Sequence, residues 1–147
     1  MKEIFTALLT PFNQDQSIDY PGLYRVMDHL IEEGNKSFLL CGTTGETSTL
    51  KLDERRMLVE NILEKYPTIR VIVGICSNST SQVIRHIQMY KDNPRIYAFL
   101  VIVPYYIKPS QSGIFKHFDL IASSTDKNIM IYNIPSRCGV AIDVSTV

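Results

Sequence analysis

Three short segments of the chain combine residue types that can recognise anions and move protons. The first is Gly42-Thr43-Thr44-Gly45-Glu46. Two glycines bracket two hydroxyls, so backbone amides and side-chain O–H groups can converge on a small anion such as a carboxylate. The same residues also suit an ordinary turn. A phosphate loop is excluded, because the spacing is wrong and no Gly-Lys-Ser/Thr follows. The second segment, Pro104-Tyr105-Tyr106-Ile107-Lys108-Pro109, sets paired tyrosines in a proline-bounded loop, where they serve packing as readily as chemistry. The third, Tyr132-Asn133-Ile134-Pro135-Ser136-Arg137-Cys138-Gly139, ends an apolar run with a tyrosine and places an arginine five residues on. A phenol at a strand end passes protons when a neighbouring hydroxyl supports it. The guanidinium fork of Arg137 matches a carboxylate, although an arginine in a loop is usually just solvated.

Each segment follows an apolar run rich in β-branched residues. The expected strands are Ile4–Leu9, Phe38–Cys41, Val71–Ile75, Ala98–Val103 and Ile129–Tyr132, with starts about 27 to 34 residues apart. That repeat is the length of a βα unit. Near-continuous apolarity suits strands covered on both faces, as in a parallel sheet. Helical stripes lie between them. Leu23, Val26, Met27, Leu30 and Ile31 form one, with Asp19 as N-cap, Pro21 after it and Gly34 as the stop. The second carries Leu58, Val59, Ile62, Leu63 and Tyr66 and ends before Pro67. The third carries Val83, Ile84, Ile87 and Tyr90 after Ser79–Thr80, and the fourth carries Ile114, Phe115, Phe118, Ile121 and Ala122 after Ser110. No linker or charge block divides the chain, so residues 1–147 read as one α/β domain. An open doubly wound sheet would be complete at this length, whereas a (β/α)8 barrel needs about 250 residues. In either architecture the three segments sit beyond the C-terminal strand ends, where active sites lie.

Composition narrows the partners. The 147 residues carry 15 basic and 15 acidic side chains, and 45% are hydrophobic. That balance is typical of a soluble globular protein and gives no reason to expect nucleic acid or an anionic membrane surface. No apolar run approaches the roughly 18 residues of a membrane span, and the start has no leader-like pattern, so a cytoplasmic location is expected. Cys41, Cys76 and Cys138 are widely spaced with no Cys-x-x-Cys pair, which argues against a disulfide framework or structural zinc. They read as small buried hydrophobes. His29, His86 and His117 do not cluster, so neither a metal nor another cofactor is expected.

Taken together, GTTGE, PYY-x-KPS and YN-x-PSR-x-G at successive strand ends resemble the dihydrodipicolinate synthase (4-hydroxy-tetrahydrodipicolinate synthase) branch of the pyruvate aldolases, the family that includes N-acetylneuraminate lyase. The resemblance runs from Ala7-Leu8-Leu9-Thr10-Pro11-Phe12 to Gly139, and the PSR-x-G turn favours the synthase over the lyases. It implies a (β/α)8 TIM barrel, of which this chain would be the N-terminal part with five strands. It also implies condensation of pyruvate, held as a lysine Schiff base, with aspartate semialdehyde on the route to diaminopimelate and lysine. Carried over by motif, Tyr132, Thr43 and Tyr106 would form a proton relay, with Tyr106 reaching in from a neighbouring subunit of a homodimer or tetramer. Thr44 would hold the pyruvate carboxylate, and Arg137 the carboxylate of the semialdehyde or product.

The resemblance puts the Schiff-base lysine on a sixth strand, beyond Val147. Lys108 lies in a loop, while Lys36, Lys51, Lys65, Lys91, Lys116 and Lys127 fall near element boundaries, where surface positions are expected. Inactivity of the chain alone is therefore the expectation. A non-catalytic remnant, or an aldolase for another aldehyde such as a neuraminate or keto-sugar-acid lyase, are the alternatives. Unpaired edges on the first and fifth strands would favour self-association. Asn35-Lys36-Ser37 and Arg95-Ile96-Tyr97 replace smaller family residues, and Val103 and Ile107 replace a threonine and an asparagine. Leu52, Arg55 and Gln82 stand where lysine-inhibited members carry histidines and a glutamate, so the pattern for lysine feedback is missing.

Overall fold

A computed structural model describes residues 3–147. The chain forms two compact units, one running up to Gly74 and one from Ile75 onward. The first contains β1 (Thr6–Ala7), α1 (Tyr20–Glu32), β2 (Ser37–Leu40), α2 (Leu52–Lys65) and β3 (Arg70–Ile75), whose last residue opens the second unit. Its strands pair in parallel, Thr6 opposite Phe38 and Ala7 opposite Leu39, then Ser37 through Leu40 opposite Arg70 through Val73. Phe38, Leu40, Val71, Ile72 and Val73 are buried at consecutive or alternate positions, as strands covered on both faces require. Leu23 and Met27 of α1 and Leu58, Val59 and Ile62 of α2 complete that core.

Local chemistry sets the helix ends. The Asp19 carboxylate accepts from the Gly22 amide at 2.9 Å, capping α1. Gly34, with φ +92°, releases the chain after it. At α2 the Glu54 carboxylate reaches back to the Lys51 amide at 2.7 Å. The Tyr66 hydroxyl donates to Asp28 at 2.7 Å and so ties the end of α2 to α1. Burial first, and then the adjoining Asp28 carboxylate, push this phenol's pKa well above the usual tyrosine range.

One glycine is dictated by packing. A Cβ built on Gly74 would lie 2.2 Å from the Cys41 carbonyl oxygen, so β3 passes the exit of β2 with no room for a side chain. Only glycine meets that approach without shifting backbone.

The second unit contains α3 (Thr80–Gln88), β4 (Ile96–Ile102), α4 (Gln111–Ala122), β5 (Asn128–Tyr132), the short α5 (Pro135–Cys138) and a 3-10 turn over Val144–Thr146. Here β4 and β5 pair in parallel, from Ala98 opposite Asn128 to Ile102 opposite Tyr132. Ser110 caps α4 by accepting from the Gly113 amide at 3.2 Å. Val83, Ile87, Ile96, Phe99, Val101, Ile114 and Ile121 are buried.

Two elements depart from the expected pattern. The first strand is only Thr6–Ala7, because only those two residues pair with β2. On α4, Phe115 and Ala122 are exposed, and the buried stripe is Ile114, His117, Phe118 and Ile121. That set keeps the i, i+3, i+4, i+7 spacing by burying a histidine instead of a phenylalanine.

His117 holds its place through one hydrogen bond, Nδ1 to the Thr80 hydroxyl at 2.8 Å, which joins α4 to the first turn of α3. Its Nε2 is buried without a hydrogen bond of good geometry. Burial lowers the imidazole pKa from its usual 6.5, against a smaller upward pull from the Ile102 carbonyl.

Two outcomes follow. The folded state favours neutral His117, so the unfolded chain binds its proton more readily. The stability at stake is therefore intact above the unfolded pKa of 6.5 and is lost as pH falls below it. Urea midpoints measured between about pH 7.5 and 5 should fall more for the native sequence than for His117→Leu. Parallel pH profiles would refute this assignment. For Gly74→Ala, the overlap with the Cys41 carbonyl should cost about 2 kcal/mol or more, read as a lower denaturation midpoint at unchanged slope.

Candidate active site

In the first unit the candidate group is the turn that leaves β2. Cys41 ends the strand with φ +53°, and its buried thiol is pushed up to about 12 by desolvation, slightly offset by Arg55. This thiol stays protonated and works as a hydrophobe. The next residues fold back on themselves. The Glu46 amide donates to the Thr43 carbonyl at 3.1 Å, and the Thr47 amide reaches the Gly42 carbonyl at 3.4 Å. The Thr10 hydroxyl donates to the Gly45 carbonyl at 2.8 Å and anchors the turn to the exit of β1. A Cβ on Gly45 would stand 2.9 Å from the Leu8 carbonyl oxygen, which is why this position is a glycine. Gly42 and Gly45 are thus buried while Thr43 and Thr44 face outward. Two exposed threonines thus stand on a fixed base. Thr47 adds a buried hydroxyl with no hydrogen-bond partner, a feature the motif alone does not disclose.

In the second unit the candidate groups leave β4 and β5. Val103 and Pro104 are buried where β4 ends, and the chain then turns sharply, with φ +72° at Tyr106 and +46° at Lys108. Tyr106 is 87% exposed. Its amide donates to the Cys138 carbonyl at 3.3 Å, so its loop is fastened to the turn that carries Arg137. Tyr132 closes β5 and is half-buried. Arg137 lies exposed on α5, which ends in a left-handed Gly139 whose amide donates to the Pro135 carbonyl at 2.8 Å. The Cys138 thiol is buried, and its pKa is raised by desolvation and then by the neighbouring Cys76.

The structure therefore brings the loops of Tyr106, Tyr132 and Arg137 together at the C-terminal ends of two adjacent parallel strands. Thr43 and Thr44 occupy the equivalent end of β2 in the first unit. Two side chains that sequence reasoning passed over, Gln111 and Asn133, make hydrogen bonds to the segment after Arg137. Asn133 belongs to the YN-x-PSR-x-G motif without a role assigned to it there, and Gln111 directly follows the PYY-x-KPS motif. Among the described residues no group of three or more His, Cys, Asp or Glu side chains could hold a metal. Among the same residues, no helix is long and apolar enough to cross a membrane.

The chain is 38% identical over 145 residues to a 4-hydroxy-tetrahydrodipicolinate synthase of Leuconostoc citreum, covering 98% of this chain and 50% of that protein. It is 42% identical over 145 residues to one of Karelsulcia muelleri, covering 96% and 48%. A solved structure of the chloride-inhibited dihydrodipicolinate synthase from Acinetobacter baumannii, complexed with pyruvate, superposes with a TM-score of 0.93 at 33% identity. That match covers 99% of this chain and 50% of the other. The chain spans about half the length of the curated relatives it matches, and its fold is the α/β arrangement of the N-terminal part of a (β/α)8 barrel. A model of the dihydrodipicolinate synthetase family matches residues 1–147, and the chain belongs to that family.

Proposed function

We propose that this chain supplies the substrate-recognition and proton-relay part of a site that condenses pyruvate with aspartate semialdehyde, and that none of its described lysines forms the Schiff base. One observation carries the reading: motifs suited to two carboxylates and a proton path stand at the ends of β2, β4 and β5, in a chain similar along its length to named synthases. In this reading Thr44 binds the pyruvate carboxylate through its hydroxyl and amide. Tyr132 assists imine formation, and Thr43 passes the proton towards Tyr106. A tyrosine as exposed as Tyr106 suits a partner in a second copy of the chain, where a relay could complete itself. Arg137 takes the carboxylate of the semialdehyde with its planar fork.

The lysines support the second half of the proposal. Lys36, Lys51, Lys65, Lys91, Lys108 and Lys116 are exposed, Lys127 is half-buried, and none of them lies on a strand. An amine becomes a nucleophile near neutral pH when desolvation or a neighbouring cation lowers its pKa. Six of the seven stand in contact with solvent, outside any water-excluded pocket.

Incubation with pyruvate and borohydride, followed by intact-mass measurement, should return the chain unmodified. A stable pyruvate adduct on any of these lysines would overturn the claim about the nucleophile. Recognition is tested separately by following amide resonances while pyruvate or pyridine-2,6-dicarboxylate is added. Pyruvate should shift Thr43 and Thr44, and Arg137→Ala should weaken dicarboxylate binding about 10- to 100-fold, the worth of a charge-assisted hydrogen-bond pair. Unmoved resonances in both loops would sink the recognition half.

A further inference from the structure

We propose that Gln111 is a positioning residue for Arg137, acting through the segment that follows the Arg137 turn. This rests on the reading of Arg137 as a carboxylate site. Gln111 is the first residue of α4, but its side chain does not cap that helix, a role already filled by Ser110. It turns instead to residues thirty or more positions ahead. Its Nε2 donates to the Ala141 carbonyl at 2.9 Å, and its Oε1 accepts from the Asp143 amide at 3.1 Å and the Thr146 hydroxyl at 2.6 Å. A carboxamide offers two donor and two acceptor positions, and three of the four are spent on one short segment. The two donors at one end and the carbonyl at the other leave only one orientation of the amide.

The residue between these two contacts is held from the other side. The Asn133 Oδ1 accepts from the Ile142 amide at 3.2 Å. Ala141, Ile142 and Asp143 are therefore gripped in succession by Gln111, Asn133 and Gln111 again. Asn133 and Ile142 form the neck of a closed loop, and Arg137 sits on that loop. Within it the Cys138 amide donates to the Ile134 carbonyl at 3.0 Å, and the Cys138 carbonyl accepts from Tyr106 at 3.3 Å. The loop is thus fixed at its neck and along one side, while the guanidinium remains exposed. An exposed arginine has many rotamers to lose when it grips a carboxylate. A backbone fixed in advance confines that loss to the side chain, which is what preorganisation contributes to affinity.

A residue needed only for general stability would loosen the whole unit when removed. Gln111 contacts no apolar core residue through these bonds, so its loss should loosen the loop selectively. Hydrogen exchange of the 147-residue chain reads this directly. Gln111→Ala should speed exchange about tenfold at the Arg137–Gly139 and Ile142–Asp143 amides, with β4 and β5 unchanged. Gln111→Glu keeps an acceptor oxygen but sets its second oxygen against the Ala141 carbonyl, so it should loosen the loop at least as much as Gln111→Ala. In the same samples, the dissociation constant for pyridine-2,6-dicarboxylate should rise about tenfold in Gln111→Ala and at least as much in Gln111→Glu. Unchanged loop exchange, or acceleration spread evenly over β4 and β5, would overturn the proposal. So would a dicarboxylate affinity that falls in Arg137→Ala but not in Gln111→Ala. If Arg137→Ala leaves that affinity unchanged, the reading of Arg137 fails instead, and the exchange data still decide whether Gln111 orders the loop.

Discussion

In a parallel pair the second strand can begin only after the chain has travelled back along the first, so each crossover needs a helix and each strand leaves the pair at the same end. That constraint operates in both units. It places the exits of β1 and β2 together in one, and those of β4 and β5 together in the other. Apolar strands such as Arg70–Ile75, buried at every position after the first, leave no polar group inside the ladder with which to do chemistry. Side chains able to do chemistry are consequently left to the turns after the strands. Thr43, Thr44, Tyr106 and Arg137 all occupy such turns, and Tyr132 is the last residue of its strand.

Packing those turns close to their strands has a conformational cost that the sequence meets in two ways. Where backbone approaches backbone, the side chain is removed, as at Gly74 against the Cys41 carbonyl and Gly45 against the Leu8 carbonyl. Where the chain must reverse, non-glycine residues take left-handed conformations, at Cys41 and Glu46 around one turn and at Tyr106 and Lys108 in another. Residues in this region carry strain of order 1 kcal/mol or more, and they persist because surrounding contacts over-determine them. The Thr10 bond to Gly45 and the Tyr106 bond to Cys138 are such contacts. The turns around the candidate groups are therefore built rather than incidental.

Features governed by neighbours in sequence were legible before any coordinates. Asp19 caps α1, Gly34 releases it, and the β3 run is buried as its unbroken apolarity requires. Features decided by distant partners were not. The extent of β1 depends on how much of it finds β2, and its flanking apolar residues Ile4 and Leu9 stay exposed. His117 looked like one more helical histidine, yet the Thr80 hydroxyl and the helix spacing bury it in place of Phe115. For the candidate site, types and order were readable from motifs, while the tie between the Tyr106 loop and the Arg137 turn was not. Gln111 and Asn133 show the reason: amides of this kind gain meaning only from carbonyls and N–H groups more than eight residues away.

The two parts of an imine-forming aldol site place opposite demands on their surroundings. A group that recognises a carboxylate can stay in contact with water, because an arginine or a hydroxyl keeps its donors whether or not the substrate is present. An amine that must attack a ketone needs water withdrawn, since hydration favours the protonated form that has no lone pair. In the proposed function Thr43, Thr44 and Arg137 answer to the first demand, each exposed on anchored backbone. The described lysines are spread over helices and loops, six of them exposed and Lys127 half-buried. Exposure is thus compatible with recognition and hostile to the nucleophile. On the proposed reading of Arg137 as a carboxylate site, the loop that carries it is anchored by the carboxamides of Gln111 and Asn133.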